Sequence, residues 1–299
     1  MMKLKTQLYA LLLGITAALG GTSEAGSGPI NNTVVQITPP LDTNNNPFLD
    51  RRNIRNVLSK NVSSNWAGAT IINQENGVKS ATATFTIPKN ISLPPGYNSS
   101  KTYYFSAMIG IDGIEPCRTG SIQMGIDISL KEGDDAPWYE GWAEWHPGGL
   151  QYIPQLKIAQ GDLITLNATR INHTAGIVYL KHEDTGEYLT LNLKQLAPGN
   201  ALCGYSASWV VWDRFGEGYP LPYFDPIEFQ NVGWRNKYGE WAAVGNATEI
   251  SAQEVVNGPI VVDCVMSQPQ GVNCTYGGPM DEDEFGPGEK NGGNDTRQA

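Results

Sequence analysis

Between Tyr103 and Pro147 the chain sets Asp112, Gln123, Asp127, Glu140 and Glu144 among three tryptophans, Trp138, Trp142 and Trp145. Carboxylates beside a carboxamide can move a proton and stabilise a developing oxyanion, and indole rings give such groups an apolar wall. A groove for hydrolysis and a strand with its polar residues turned to solvent fit this pattern equally well. Paired acids among tryptophans also suit a glucanase-like hydrolase. Glu140 and Glu144 alone do not serve that chemistry: four residues apart on one strand they lie about 13 Å from each other, whereas glycosidase pairs sit roughly 5–9.5 Å apart. Either could still partner Asp112 or Asp127 across strands.

Other chemistries find less support. With only three histidines (His146, His173, His182) and no HExxH, a zinc peptidase is unsupported. No GxSxG elbow and no glycine-rich strand-to-helix loop are present. Asp184-Thr185-Gly186 matches the tripeptide of two-lobed aspartic peptidases, but it occurs once, and that chemistry needs two carboxylates sharing a proton. Between two strands it makes an ordinary turn. No metal or cofactor is expected.

The elements that must hold these residues read as strands. Trp66–Ile72, Ala81–Ile87, Tyr104–Ile111, Ile122–Leu130, Trp138–Trp145, Leu163–Ile171, Gly176–His182, Tyr188–Leu193, Tyr205–Trp212 and Ile227–Trp234 are short, rich in Val, Ile, Thr and Tyr, and separated by Gly, Pro and Asp. One turn of helix near Arg52–Leu58 is the sole helical signal. The spacing predicts an all-β, antiparallel, single-domain protein built as a two-sheet β-sandwich or a barrel.

Composition bounds the partners. Of 299 residues only 17% are charged and the formal net charge is −10, so no basic stripe is available for nucleic acid. Residues 1–25 read as a signal peptide: Lys3 and Lys5, an apolar run Leu8–Leu19 too short to span a bilayer, then Ser23-Glu24-Ala25. Nine Asn-x-Ser/Thr sequons, beginning with Asn31 and Asn61 and including Asn90 and Asn246, fit an exported glycoprotein. Cys117, Cys203, Cys264 and Cys274 could pair in three ways. Residues 26–60 are expected to be a pro-segment or a disordered leader. The first 60 residues hold six basic and three acidic side chains, which leaves 14 basic and 27 acidic, or −13, for the body. Residues 277–299, nearly free of apolar side chains, are expected to be disordered. A secreted, extracellular monomer without membrane contact is expected.

Ser64-Asn65-Trp66-Ala67-Gly68, Gly110-Ile111-Asp112-Gly113, Ile122-Gln123-Met124-Gly125-Ile126-Asp127 and Trp142-Ala143-Glu144-Trp145-His146-Pro147 stand in an order that resembles the signature of the glutamic peptidases (eqolisins), secreted fungal acid endopeptidases. The resemblance covers about Asn61–Tyr276. It implies a two-sheet sandwich of concanavalin-like or jelly-roll type, a protein or peptide substrate, and disulfides Cys117–Cys203 and Cys264–Cys274. It also implies a catalytic pair in which a glutamine stabilises the oxyanion and a glutamate activates water. Gln123 matches the glutamine, and Trp66, Asp112, Trp142 and Glu144 match the groove. Counting from Cys203 along Tyr205-Ser206-Ala207-Ser208-Trp209-Val210-Val211-Trp212-Asp213 puts Trp212 where the glutamate belongs. Met108 stands for a groove tryptophan and His146 for a tyrosine. A tryptophan takes no proton from water, so the base would have to come from Asp213, Glu217, Glu144 or Asp112. The alternative is an inactive pseudopeptidase binding peptide or glycan in the same groove.

Overall fold

The computed structural model describes residues 34–35 and 61–278, apart from 76, 95, 214–220, 254–259 and 268–269. The expected signal peptide and helical turn, all of the leader but Val34 and Val35, and all of the acidic tail but Gly277 and Gly278, lie outside the described residues.

Every regular element described is a strand. The chain opens with β1 (Val34–Val35), β2 (Asn61–Ser63), β3 (Trp66–Ile72), β4 (Val78–Thr86) and β5 (Ile91–Ser92). Three long strands follow: β6 (Thr102–Asp112), β7 (Ser121–Lys131) and β8 (Trp138–His146), then the short β9 (Gln151–Ile153). Next come β10 (Leu163–Asn172), β11 (Ala175–His182), β12 (Tyr188–Lys194) and β13 (Ser206–Trp212). The chain ends through β14 (Tyr223–Phe224), β15 (Ile227–Asn236), β16 (Trp241–Ala243), β17 (Thr248–Gln253), β18 (Ile260–Ser267) and β19 (Gly271–Tyr276).

Seventeen strands form one hydrogen-bonded system, and β5 with β14 form a small second sheet. Within the large system β17, β3, β13, β6, β7, β8 and β9 pair in that order. A second run pairs β12, β11, β10, β4 and β15. β15 joins the two runs: Ile227–Phe229 pair with β19, and from Gln230 onward the strand pairs with β4. The switch coincides with a register shift between Gln230 and Gly233, with Asn231 left-handed at φ 50°.

The two runs share one apolar core. Ile109, Ile122, Met124 and Ile126 from the first meet Ile164, Leu166, Val178 and Leu180 from the second, all essentially buried. Alternation accounts for this, because the central residues at every second position of β6, β7, β10 and β11 are apolar or small and turn inward. At Gly141 a Cβ would lie 3.0 Å from Leu180, and at Gly176 one would lie 2.9 Å from Ile122, so both glycines let facing strands close up. β1 lies parallel to the margin of β12, Val34 opposite Thr190. The aspartic-peptidase look-alike Asp184-Thr185-Gly186 is the tight turn between β11 and β12, with Gly186 at φ 73°.

Candidate active site

The residues left over by the core alternation share the other face of the β3–β13–β6–β7–β8 run. Register sets them in rows. Gln123 on β7 lies between Gly110 of β6 and Glu144 of β8. The next row toward the β6–β7 connection holds Asp112, Ser121 and His146. In the opposite direction come Met108, Gly125 and Trp142, then Ser106, Asp127 and Glu140. A Cβ at Gly125 would lie 2.7 Å from the Met108 Cβ and 2.7 Å from the Ala107 carbonyl oxygen, so only glycine lets Met108 lie flat there.

Gln123 and Glu144 are therefore direct cross-strand neighbours, with Cβ atoms about 5 Å apart. Gln123 is fully buried and Glu144 is 2% exposed. The Gln123 Nε2 donates to Ser121 Oγ at 2.8 Å, which orients the carboxamide. Glu144 Oε1 lies 3.0 Å from His146 Nδ1, while Glu144 Oε2 and His146 Nε2 are buried without a hydrogen-bond partner. Ser121 and His146 oppose each other in register. The four side chains thus form a block in which each strand supplies one chemical group and the residue that orients it.

The other carboxylates are engaged differently. Asp112, left-handed at φ 64°, accepts the amides of Gly204 (2.7 Å), Tyr205 (2.7 Å) and Ser206 (3.3 Å). Burial pushes its pKa above the ordinary value of 3.8, with these amides and Arg170 pulling the other way. It fastens the segment entering β13, beside the Cys117–Cys203 disulfide. Asp127 accepts the hydroxyl of Ser106, and that of Tyr152 at 3.4 Å. Asp213 follows the last residue of β13, and its amide donates to Asn65 O at 2.8 Å. Glu217 lies outside the described residues.

Trp212 is on the same face as Gln123 but is not its neighbour. It opposes Ser106, four residues along β6 from Gly110, so it stands roughly 13 Å along the strands and roughly 10 Å across them from Gln123. Its indole packs edge-on against Trp142, ring centroids 6.2 Å apart. With Trp66, Met108, Ile114 and Val210 the two rings form a small apolar cluster separate from the main core. Both indole N–H groups are buried with no acceptor. Of the residues read from sequence, the fold gathers Gln123 with Glu144, and Trp66, Trp142 and Trp212 with one another. Asp112 it commits to the backbone.

Residue type alone does not mark Ser121, His146, Ser106 or Tyr152 as working residues. Ser121 and His146 each stand two positions from a marked residue, the strand period that brings side chains to one face, and that is the signal the sequence carries. Among the described residues one group, Asp162, His182 and Asp184, could hold a cation. Its Asp162 Oδ2 already accepts the Ala159 amide and contacts His182 Nε2 at 2.9 Å, and Asp184 Oδ2 accepts the Leu163 amide. These contacts make it a clip between loops. Cys264 and Cys274 form the second disulfide, directly opposite each other on β18 and β19.

An all-β frame with a buried carboxamide and a buried carboxylate side by side on one face has the chemical make-up of a hydrolytic site. Residues 64–276 match the Peptidase A4 family, and the chain belongs to it. It is 28% identical over 230 residues to Scytalidopepsin B of Scytalidium lignicola, covering 74% of this chain and 81% of that protein. Among solved structures it resembles scytalido-glutamic peptidase with a transition-state analogue inhibitor (TM-score 0.59, 26% identity, 72% of this chain and 99% of that one). It also resembles aspergilloglutamic peptidase from Aspergillus niger (TM-score 0.51, 25% identity, 58% of this chain and 99% of that one).

Proposed function

We propose that this protein is a secreted endopeptidase working in acid, on a two-sheet sandwich of jelly-roll type, with Gln123 and Glu144 as its catalytic pair. One observation carries the reading: Glu144 lies in register beside Gln123 and keeps one carboxylate oxygen without a partner. In this mechanism Glu144 Oε2 takes a proton from water as the water adds to the scissile carbonyl. The Gln123 amide, a donor that needs no charge, stabilises the oxyanion. The proton on Glu144 then passes to the departing amine. Asp112 is committed to three backbone amides and Asp213 lies past the end of its strand, so of the described acids Glu144 is the one beside the carboxamide. The pair is buried, so a peptide meets it only with the groove open. Residues 1–25 as signal and 26–60 as a removable pro-segment fit this reading.

The test is cleavage of a denatured protein substrate across pH by the purified protein. Hydrolysis confined to acid, abolished by Gln123→Ala and lowered about 100- to 10,000-fold by Glu144→Gln, is expected. No cleavage at any pH ends the proposal. A second reading, a pseudopeptidase that binds peptide without cutting it, is favoured by the buried Trp212–Trp142 contact, since the resemblance puts the family's base at position 212. Peptide binding without turnover is its signature.

A further inference from the structure

We infer that His146 is a positioning residue for the base: it anchors Glu144 by one oxygen and thereby presents the other to water. The inference rests on the assignment of Glu144 and adds to it the group that makes it work. Glu144 and His146 lie two apart on β8, on the same face, with side chains 3% and 1% exposed. The contact is between Nδ1 and Oε1 at 3.0 Å, and among the described residues His146 is the ion-pair partner of Glu144. A carboxylate taken from water is costly unless it finds a partner, and the imidazole supplies a hydrogen-bonding one at 3.0 Å. Anchoring at Oε1 removes the carboxylate's rotational freedom, so that Oε2 is the oxygen left for the reaction.

The neighbouring strand is built the same way. Ser121, directly across from His146, takes the Gln123 amide at 2.8 Å and orients it. The donor and the base are each fixed by the residue two positions away, and the two fixing residues sit side by side. A histidine two positions from a glutamate on a strand is common as surface pairing. Here both are closed off from solvent, and each keeps one unsatisfied polar atom, which surface pairing does not require.

In the catalytic step His146 forms and breaks no bond to substrate. It donates through Nδ1 to Oε1 while Oε2 accepts the proton of the attacking water. That proton leaves Glu144 for the amine, and the Nδ1 hydrogen bond persists throughout. Its effect therefore falls on turnover and not on substrate affinity.

The experiment compares His146→Phe, which keeps a planar ring but has no donor, with His146→Asn, whose Nδ2 stands at the same bond separation as Nδ1. Cleavage by the full chain is measured as kcat and KM, with thermal melting to establish folding. For His146→Phe we expect kcat to fall about 100-fold, within the range that general-base catalysis supplies, with KM inside about twofold. His146→Asn should recover activity to within roughly tenfold of wild type, about 1.4 kcal/mol of barrier. In a Glu144→Gln background, His146→Phe should cause no further loss, because groups acting as a unit are not additive. Unchanged kcat in both variants, or a loss that adds to that of Glu144→Gln, overturns the positioning role while leaving Glu144 in place. Should His146→Phe not fold, His146→Asn and its combination with Glu144→Gln still decide the matter. An active enzyme indifferent to Glu144→Gln, or an inactive wild type, removes the base assignment itself and this inference with it.

Discussion

Asp112→Asn separates two opposing effects on one buried carboxyl. The wild-type side chain takes Gly204 on Oδ2 and both Tyr205 and Ser206 on Oδ1. Asparagine can accept through Oδ1, but its Nδ2 turns two hydrogens toward the Gly204 amide. One buried donor is then unmet, at about 1–3 kcal/mol, and a fold of this size loses about 2–4 °C of Tm per kcal/mol. The pH dependence gives the sharper outcome. Burial is the dominant influence and holds the Asp112 pKa in the fold above 3.8. Between the two values the folded protein binds the extra proton, so stability falls as pH rises. The contribution of Asp112 is therefore complete below the unfolded value and lost as pH passes through the raised folded one. Melting scans of wild type and Asp112→Asn across acid to neutral pH should show the gap widest in acid and narrowing upward. A gap that widens toward neutral pH would mean that the three amides outweigh burial, and would refute the reasoning.

Trp212→Phe should leave cleavage within roughly tenfold of wild type, under about 1.4 kcal/mol of barrier. Trp212→Glu should cut no faster and should melt lower, because it buries a carboxylate against Trp142; a clear gain in rate overturns Glu144 as base. Gly125→Ala forces a Cβ to 2.7 Å from Met108 and should cost about 1–3 kcal/mol in urea unfolding, as overpacking does. The disulfides should differ: the pairs are separated by 86 and 10 residues, and loop-closure entropy makes removal of Cys117–Cys203 about 2 kcal/mol worse than removal of Cys264–Cys274. Equal urea midpoints for the two double-serine variants would contradict that ranking.

Much of this fold is legible before any coordinates. The run Tyr104–Ile111 extends to Thr102–Asp112 in the structure, and Trp66–Ile72 keeps its ends, because alternating aliphatic residues report burial on one face directly. The strands beyond Ala243 carry a weaker signal. In Thr248–Gln253 only Ser251 and Ala252 are buried, and Ile260–Ser267 carries an aspartate, a serine and a half-cystine, so neither shows the apolar alternation that marks a strand. For the site, period two puts Gln123 on a face with Asp127 and Glu144 with His146. What it cannot supply is register. That Gln123 meets Glu144 and not Glu140 depends on the connection from Glu132 to Pro137, where a register slipped by four residues would put Glu140 in its place. Counting from Cys203 likewise located Trp212 along its strand without locating it across the sheet.

The strand that trades one neighbour for another midway, β15, has a mechanical consequence. Its first residues are hydrogen-bonded to the C-terminal hairpin and its later ones to β4. Peeling that hairpin away loads the same backbone that holds β4 in place, and a nick near either end is felt on both sides. The body of this molecule should therefore melt in a single transition, offering few half-open forms to other proteases that share its surroundings.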